Sequence, residues 1–184
     1  MRRVAAALVH YPVLDRAREI VTTAITNLDL HDIARSAHTY GLSDYFVVHP
    51  IAAQRELAER VRSHWVGGSG SRRIPDRSPA LELLRIVPSL DDVVSALGDP
   101  ELWTTSAMER PNTVAYSRAR ELVHDQGPPV LIVFGTGWGL ADSVCERAAF
   151  QLEPIRSPRA DGYNHLSVRA AAAITFDRLL SPRP

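Results

Sequence analysis

The chain has 184 residues, 45% hydrophobic and 23% charged, enough apolar material for one compact domain. Its 21 basic residues, every one an arginine, balance 21 acidic ones, so bulk charge does not announce a nucleic-acid partner. No apolar run approaches the roughly 20 residues of a membrane-spanning helix, and the single cysteine, Cys145, excludes an internal disulfide.

Met1-Arg2-Arg3 followed by Val4-Ala5-Ala6-Ala7-Leu8-Val9 has the basic-then-apolar flavour of a signal peptide. The run stops at His10-Tyr11-Pro12 without a small-residue cleavage site, which predicts a first buried strand over 4–9 and a cytoplasmic location. Residues 10–28, with a polar turn around Asp15-Arg16-Ala17-Arg18, read as irregular chain over one end of a sheet. A helix over 29–40, a strand over 45–49 and a helix over 51–65 follow. The stretch 66–79 holds Gly67-Gly68-Ser69-Gly70-Ser71 and then Arg72-Arg73, the composition of a flexible surface loop. Further strands are predicted over 85–87, 102–105, 130–134 and 151–152, alternating with helices over 89–97, 113–125, 140–149 and 166–180. Cys145 falls in the helix expected at 140–149 and reads as a packed side chain.

This alternation predicts an α/β fold, a mainly parallel sheet with flanking helices in a single domain over 1–184. Val130-Leu131-Ile132-Val133-Phe134, preceded by Pro128-Pro129, reads as a central strand buried on both faces. Gly135-Thr136-Gly137-Trp138-Gly139-Leu140 comes directly after it, where α/β sheets place ligands. Its glycines allow a sharp turn and close approach of main chain to a ligand. The spacing fits neither the dinucleotide fingerprint nor the phosphate-binding loop, so a plain tight turn competes with a ligand site. Two other segments share its small, polar character: Leu102-Trp103-Thr104-Thr105-Ser106-Ala107, and Tyr163-Asn164-His165-Leu166-Ser167 before an alanine-rich helix. Asn164 and Ser167 are both eligible as caps of that helix. No spacing among the seven histidines and Cys145 suggests a metal site.

Taken in order, Thr105-Ser106-Ala107, Phe134-Gly135-Thr136-Gly137-Trp138-Gly139-Leu140, Leu152-Glu153-Pro154-Ile155 and Tyr163-Asn164-His165-Leu166-Ser167-Val168-Arg169 resemble a bacterial family of SPOUT-type RNA methyltransferases. Asn27-Leu28-Asp29-Leu30-His31-Asp32-Ile33-Ala34-Arg35-Ser36-Ala37 extends the likeness to almost the whole chain. The resemblance implies a C-terminal trefoil knot, in a cofactor-binding part of about 100–184, that ordinary folding rules would not suggest. It also implies S-adenosylmethionine as cofactor, clasped by Thr105, Ser106, Ala107, the turn Phe134 to Leu140, and Ile155, Tyr163, Asn164, His165, Leu166 and Ser167. An RNA substrate (tRNA or rRNA) and a homodimer follow from the same likeness.

Methyl transfer requires alignment of nucleophile and methyl group, exclusion of water, and disposal of one proton. Asp29, Asp32 and Arg35 recur at helical spacing. Arg35 matches the arginine that helps activate the ribose hydroxyl in related enzymes, so Arg35, with Asp32 and Asp29, is the implied catalytic group. Asp29 stands where that motif usually has asparagine, which leaves base nitrogen and ribose oxygen both open as acceptors. The structural alternative is a solvated face with an Asp32–Arg35 pair. Arg55, Arg60, Arg62, Arg72, Arg73 and Arg77 are eligible for phosphate contact, and Trp65 and Trp138 for stacking on a base. Two other classes compete: a non-catalytic RNA- or protein-binding knotted module, and a different nucleotide-binding α/β enzyme.

Overall fold

The computed structural model describes residues 1–182; the last two residues of the expected domain lie outside the described ones. β1 (Val4–Val9) leads into a small hairpin, β2 (Val13–Leu14) and β3 (Ile20–Val21), then α1 (Asn27–Thr39) and β4 (Asp44–Val48). Next come α2 (Ala52–Val66), α3 (Ser69–Arg73), a 3-10 turn (Pro75–Arg77), α4 (Ser78–Glu82), β5 (Leu84–Val87) and α5 (Leu90–Leu97). β6 (Glu101–Thr104), β7 (Thr113–Val114), α6 (Tyr116–His124), β8 (Val130–Gly135), α7 (Asp142–Cys145), β9 (Phe150–Leu152) and α8 (Val168–Leu180) complete the chain.

Seven strands form one sheet in the order β5-β4-β1-β8-β6-β9-β7, with every adjacent pair parallel. The predicted α/β class is therefore the one observed. β8 is inserted between β1 and β6, and β9 between β6 and β7, each later in sequence than its neighbours. The register from Val4↔Val130 to Val9↔Gly135 sets the glycine turn beside the end of β1.

Continuous apolar runs fill both faces of the centre. Ala6, Leu8, Ile132 and Phe134 join a cluster with Leu30, Ile33 and Ala34 of α1, Ala119 of α6, and Phe176 of α8. Phe134 meets Phe176 edge to face at 5.8 Å. Ala5, Ala7, Val9, Leu131 and Val133 face the opposite way, toward Leu90, Val93 and Leu97 of α5 and Val144 of α7. Each fully buried Leu, Ile, Val or Phe removed from water contributes about 1.5–3 kcal/mol. At the amino end of the sheet the buried Arg2 pairs with Glu101 at 2.7 Å, and Glu101 also accepts from Trp103 Nε1 at 2.9 Å. Among the described residues, no helix is long and apolar enough to cross a membrane.

Four expectations need correction. The supposedly irregular 10–28 contains the β2–β3 hairpin. The stretch 66–79 is mostly helical, because Gly68 and Gly70 let α3 fold back on the end of α2. A Cβ on Gly68 would stand 2.7 Å from the His64 carbonyl oxygen, and one on Gly70 would stand 2.8 Å from the Trp65 ring. The helix expected over 113–125 starts only at Tyr116, since Thr113 and Val114 pair with β9. The helix expected over 140–149 shrinks to α7. Leu140 bridges to Val13, Ala141 N donates to Pro12 O at 3.2 Å, and Ala149 N already donates to Leu102 O at 2.9 Å.

Candidate functional site

The glycine turn is strapped by the hairpin. Leu14 N donates to Gly139 O at 2.9 Å, and Trp138 N donates to Leu14 O at 2.8 Å. Gly137 has φ +60°, and a Cβ there would lie 2.8 Å from Leu14 O, so its missing side chain admits the hairpin backbone. Gly135 needs its hydrogen for another reason: a Cβ would lie 2.8 Å from Leu140 N across the turn. Gly139, at φ +110°, is different. A Cβ there meets nothing within 4 Å, so this glycine borders open space.

Beneath the strap a half-buried polar chain runs out from the buried His10. His10 Nδ1 lies 3.0 Å from Thr23 Oγ1, Thr23 Oγ1 bonds Thr136 Oγ1, and Thr136 Oγ1 donates to Val9 O at 3.2 Å. One donor direction satisfies the series: His10 Nδ1–H to Thr23, Thr23 to Thr136, Thr136 to the carbonyl. His10 Nε2 then carries only a lone pair, consistent with its having no partner among the described residues. Burial, then neighbouring His49, push the His10 pKa down to about 4, so the ring is neutral. His49 Nε2 lies 2.9 Å from Thr23 O and must donate to it, while His49 Nδ1 accepts from Ile51 N at 3.1 Å. Both rings are thus committed to holding the hairpin and the ends of β1 and β4. Sequence reading gave Thr23, His49 and Leu14 no part in a site; a threonine in an irregular stretch carries no signal of its distant partner.

Thr105 and Ser106, at the end of β6, line one narrow cleft with Trp138, Gly139 and Leu140. Arg18 from the hairpin, Met108, Arg110 and the half-buried Cys145 complete its wall. Thr105 Oγ1 donates to Val133 O at 3.1 Å, and Ser106 Oγ accepts from Met108 N at 3.0 Å, so these hydroxyls shape their own loop. Ala107 is exposed just beyond. The Phe134 side chain is buried in the core, which leaves only its main chain for a ligand. The third expected segment is tied to this region indirectly: Arg156 pairs with Glu109 at 2.7 Å, and Gln151 Nε2 donates to Met108 O at 2.7 Å. Within it, Asn164 does not cap α8; its Nδ2 donates to Ile155 O at 2.8 Å and closes the loop on itself. Tyr163, His165 and Leu166 are exposed. Ser167 is the cap, accepting from Ala170 N at 3.2 Å.

The Asp29, Asp32 and Arg35 group lies on α1, facing α8. Asp29 is buried, bonds the Thr26 hydroxyl at 2.6 Å and pairs with Arg169 at 2.9 Å. Arg169 Nε lies 3.5 Å from Asp32, so Asp32 pairs with Arg169 and the expected Asp32–Arg35 pair is absent from the described residues. Arg35 is exposed and lines an open groove of about 580 Å³ with Asp32, Ser36, Thr39, Tyr40, Ser167, Arg169, Ala170 and Ala173. The structure thus places the implied catalytic group in one groove and the small-residue loops in another cleft. Ser167 and Arg169, at the end of the third segment, also line the groove.

The expected RNA-contact arginines are partly occupied. Arg55 donates to the carbonyls of His49 and Pro50 at 2.9 and 2.6 Å, and Arg62 pairs with Glu59 at 3.0 Å. Arg77 lies over the Trp65 ring at 4.9 Å, so that indole already carries a cation where a base was expected.

A model of a family described as SAM-dependent RNA methyltransferase matches residues 3–181. The chain belongs to this family. Its methyl donor is S-adenosylmethionine, which the family description names. The "tRNA (guanine-N(1)-)-methyltransferase" proteins of Oleidesulfovibrio alaskensis and Nitratidesulfovibrio vulgaris are 42% and 45% identical to it over 97% of this chain. The chain spans only 42% of the length of each of these relatives. An uncharacterized protein of Aquifex aeolicus is 40% identical over 95% of this chain and 87% of its own length. Among solved structures, TrmJ from Z. mobilis ZM4 has a TM-score of 0.63 at 18% identity, covering 98% of this chain and 72% of that one. The SpoU methyltransferase AviRb from Streptomyces viridochromogenes, in complex with AdoMet, has a TM-score of 0.61 at 14% identity, covering 98% and 58%. These two show that the methyltransferase family member shares the SpoU and TrmJ fold.

Proposed function

We propose that the chain is an active RNA methyltransferase that grips S-adenosylmethionine between the ends of β6 and β8 and methylates a base nitrogen or ribose oxygen of a tRNA or rRNA. The observation that carries this reading is the meeting of Thr105 and Ser106 with Trp138, Gly139 and Leu140 in one cleft, bordered by open space over Gly139. The residues suit the cofactor: Leu140 and Met108 offer apolar walls, and the glycine turn offers main-chain donors and acceptors. The cleft encloses only about 10 Å³ as it stands, so the 105–110 segment and the Trp138 ring have to part to admit a nucleoside. We place a deep trefoil knot in the C-terminal part, a reading supported by the two insertions, β8 between β1 and β6 and β9 between β6 and β7.

The bound cofactor supplies a methyl group activated by a sulfonium. The protein orients the acceptor and keeps water from it. In this reading Arg35 is the residue nearest to a catalytic role, its free guanidinium available to an acceptor hydroxyl or phosphate. Asp29 and Asp32 hold Arg169, so they act as positioning residues for the α1–α8 groove. The family resemblance also supports a homodimer with the cleft near the subunit interface.

Calorimetric titration with S-adenosylmethionine, S-adenosylhomocysteine, NAD and ATP tests the site: only the two sulfur ligands should bind. Binding of neither removes the reading. Radiolabelled methyl transfer to tRNA and rRNA pools then separates an enzyme from a binding-only module. Arg35→Ala should retain cofactor affinity while losing transfer, and equal transfer would return Arg35 to a solvated face. Mass spectrometry of nucleosides from cells with and without the gene identifies the product.

A further inference from the structure

Arg18 occupies the tip of the hairpin with φ +67°, a left-handed backbone that glycine would adopt at lower cost. Its side chain nevertheless lines the mouth of the cofactor cleft, beside Trp138 and Met108. Trp138 is 59% exposed, and Met108 57%. The hairpin that carries Arg18 is fixed against the glycine turn by Leu14 bonding to both Gly139 and Trp138. The main chain of the hairpin and that of the glycine turn are therefore held together.

The charges around the rim are mostly spent on each other. Arg110 pairs with Asp142 at 2.8 Å, and the Asp15 carboxylate accepts from Glu19 N at 2.9 Å. Arg16 and Glu19, one charge of each sign, are both exposed on the tip. Arg18 makes no side-chain hydrogen bond or ion pair among the described residues, although its charge is felt at Asp142 and Cys145. An uncommitted guanidinium beside a half-open indole is the chemistry of single-stranded RNA recognition: a phosphate for the cation, an unstacked base for the ring. A duplex keeps its base faces covered and offers the indole nothing.

Resting on the methyltransferase reading, we propose that Arg18 and Trp138 form the RNA-entry rim of this cleft. A single-stranded or looped-out segment crosses the hairpin tip with a phosphate on Arg18 and a base stacked on Trp138.

The test titrates a short mixed-sequence single-stranded RNA, and the same sequence as a duplex, against the full chain at two salt concentrations. Tryptophan fluorescence reports binding, because Trp103 is fully buried, Arg77 lies over the half-buried Trp65 ring, and Trp138 is the most exposed of the three indoles. S-adenosylhomocysteine affinity is measured on the same samples by calorimetry. The single strand should quench the wild type more strongly than the duplex does, and Trp138→Phe should abolish most of the quench. Arg18→Glu should weaken single-strand binding about 5- to 20-fold and lower the salt slope by roughly 0.7. Arg18→Lys should recover most of the affinity, and Arg118→Glu, on α6 outside the rim, should change nothing. RNA affinity unaltered in Arg18→Glu, or no RNA binding by the wild type, overturns the proposal. Loss of sulfur-ligand binding in the wild type with the RNA effects intact supports the rim and strikes the methyltransferase reading alone.

Discussion

Arg169 Nη1 stands 2.9 Å from Asp29 Oδ1, joining the first turns of α8 and α1 across 140 positions of sequence. Asp29 is only 5% exposed, and its carboxylate oxygens are taken up by this partner and by the Thr26 hydroxyl. Removing the cation by Arg169→Ala should lower stability by roughly 1–3 kcal/mol, less than for breaking a fully buried pair because Arg169 is itself half-buried. Arg169→Lys should recover part of that loss. Urea denaturation measures both, and a loss under about 0.5 kcal/mol would class the pair with idle surface bridges.

Gly137 and Gly139 should respond differently to the same change. Alanine at 137 meets Leu14 O at 2.8 Å and takes a positive φ, whereas alanine at 139 meets only backbone strain. Gly137→Ala is expected to cost about 2–4 kcal/mol and to loosen the hairpin, and Gly139→Ala about 1–2 kcal/mol. Gly139→Ala should nevertheless weaken S-adenosylhomocysteine more per unit of lost stability, because its Cβ projects into open space at the cleft. Equal ratios of affinity to stability loss in the two variants would contradict this division of roles.

Acid should destabilise the chain before its carboxylates protonate. The His10 pKa is pushed down to about 4, chiefly by burial, from its ordinary value of 6.5. The unfolded chain therefore takes up this proton first, and stability is full above about pH 6.5 and falls as the pH is lowered toward 4. The contribution of His10 is at most on the order of 3 kcal/mol. Burial also lowers the pKa of His49 and His31, which adds in the same direction. Unfolding free energies from pH 7 to 4.5 should show the decline, and His10→Gln should flatten it. An unchanged slope in that variant would show that His10 is not the group responsible.

Thr23 and Thr136 should be energetically coupled. Thr23→Val and Thr136→Val each break the donor series from His10 to the Val9 carbonyl, at about 1–2 kcal/mol. The double variant should lose less than the two separate losses added, by roughly 0.5–1 kcal/mol. Strict additivity would mean that the two hydroxyls act independently.

The legible parts of the sequence were those whose pattern is local. Val130 to Phe134 is apolar at every position, so β8 and its glycine turn were readable, and Ser167 was readable as a cap. The hairpin and β7 were not, because two-residue strands owe their existence to distant partners rather than to periodicity. The Gly67 to Ser71 stretch misled for a related reason: glycines that suit a flexible linker also suit a helix packed hard against Trp65. The same ambiguity covered the site. Gly137 reads as a ligand-facing glycine by motif, yet it admits the hairpin, and Arg169 has no motif that points back to Asp29.

The place of β8 in the sheet also governs how the chain can be built. A ribosome releases β1 and β6 well before residue 130, and until that segment arrives each of them has an open edge where β8 will lie. The nascent polypeptide thus carries two sticky seams that only its own later portion can zip shut. Truncation upstream of Val130 should leave a product prone to aggregation rather than a smaller domain.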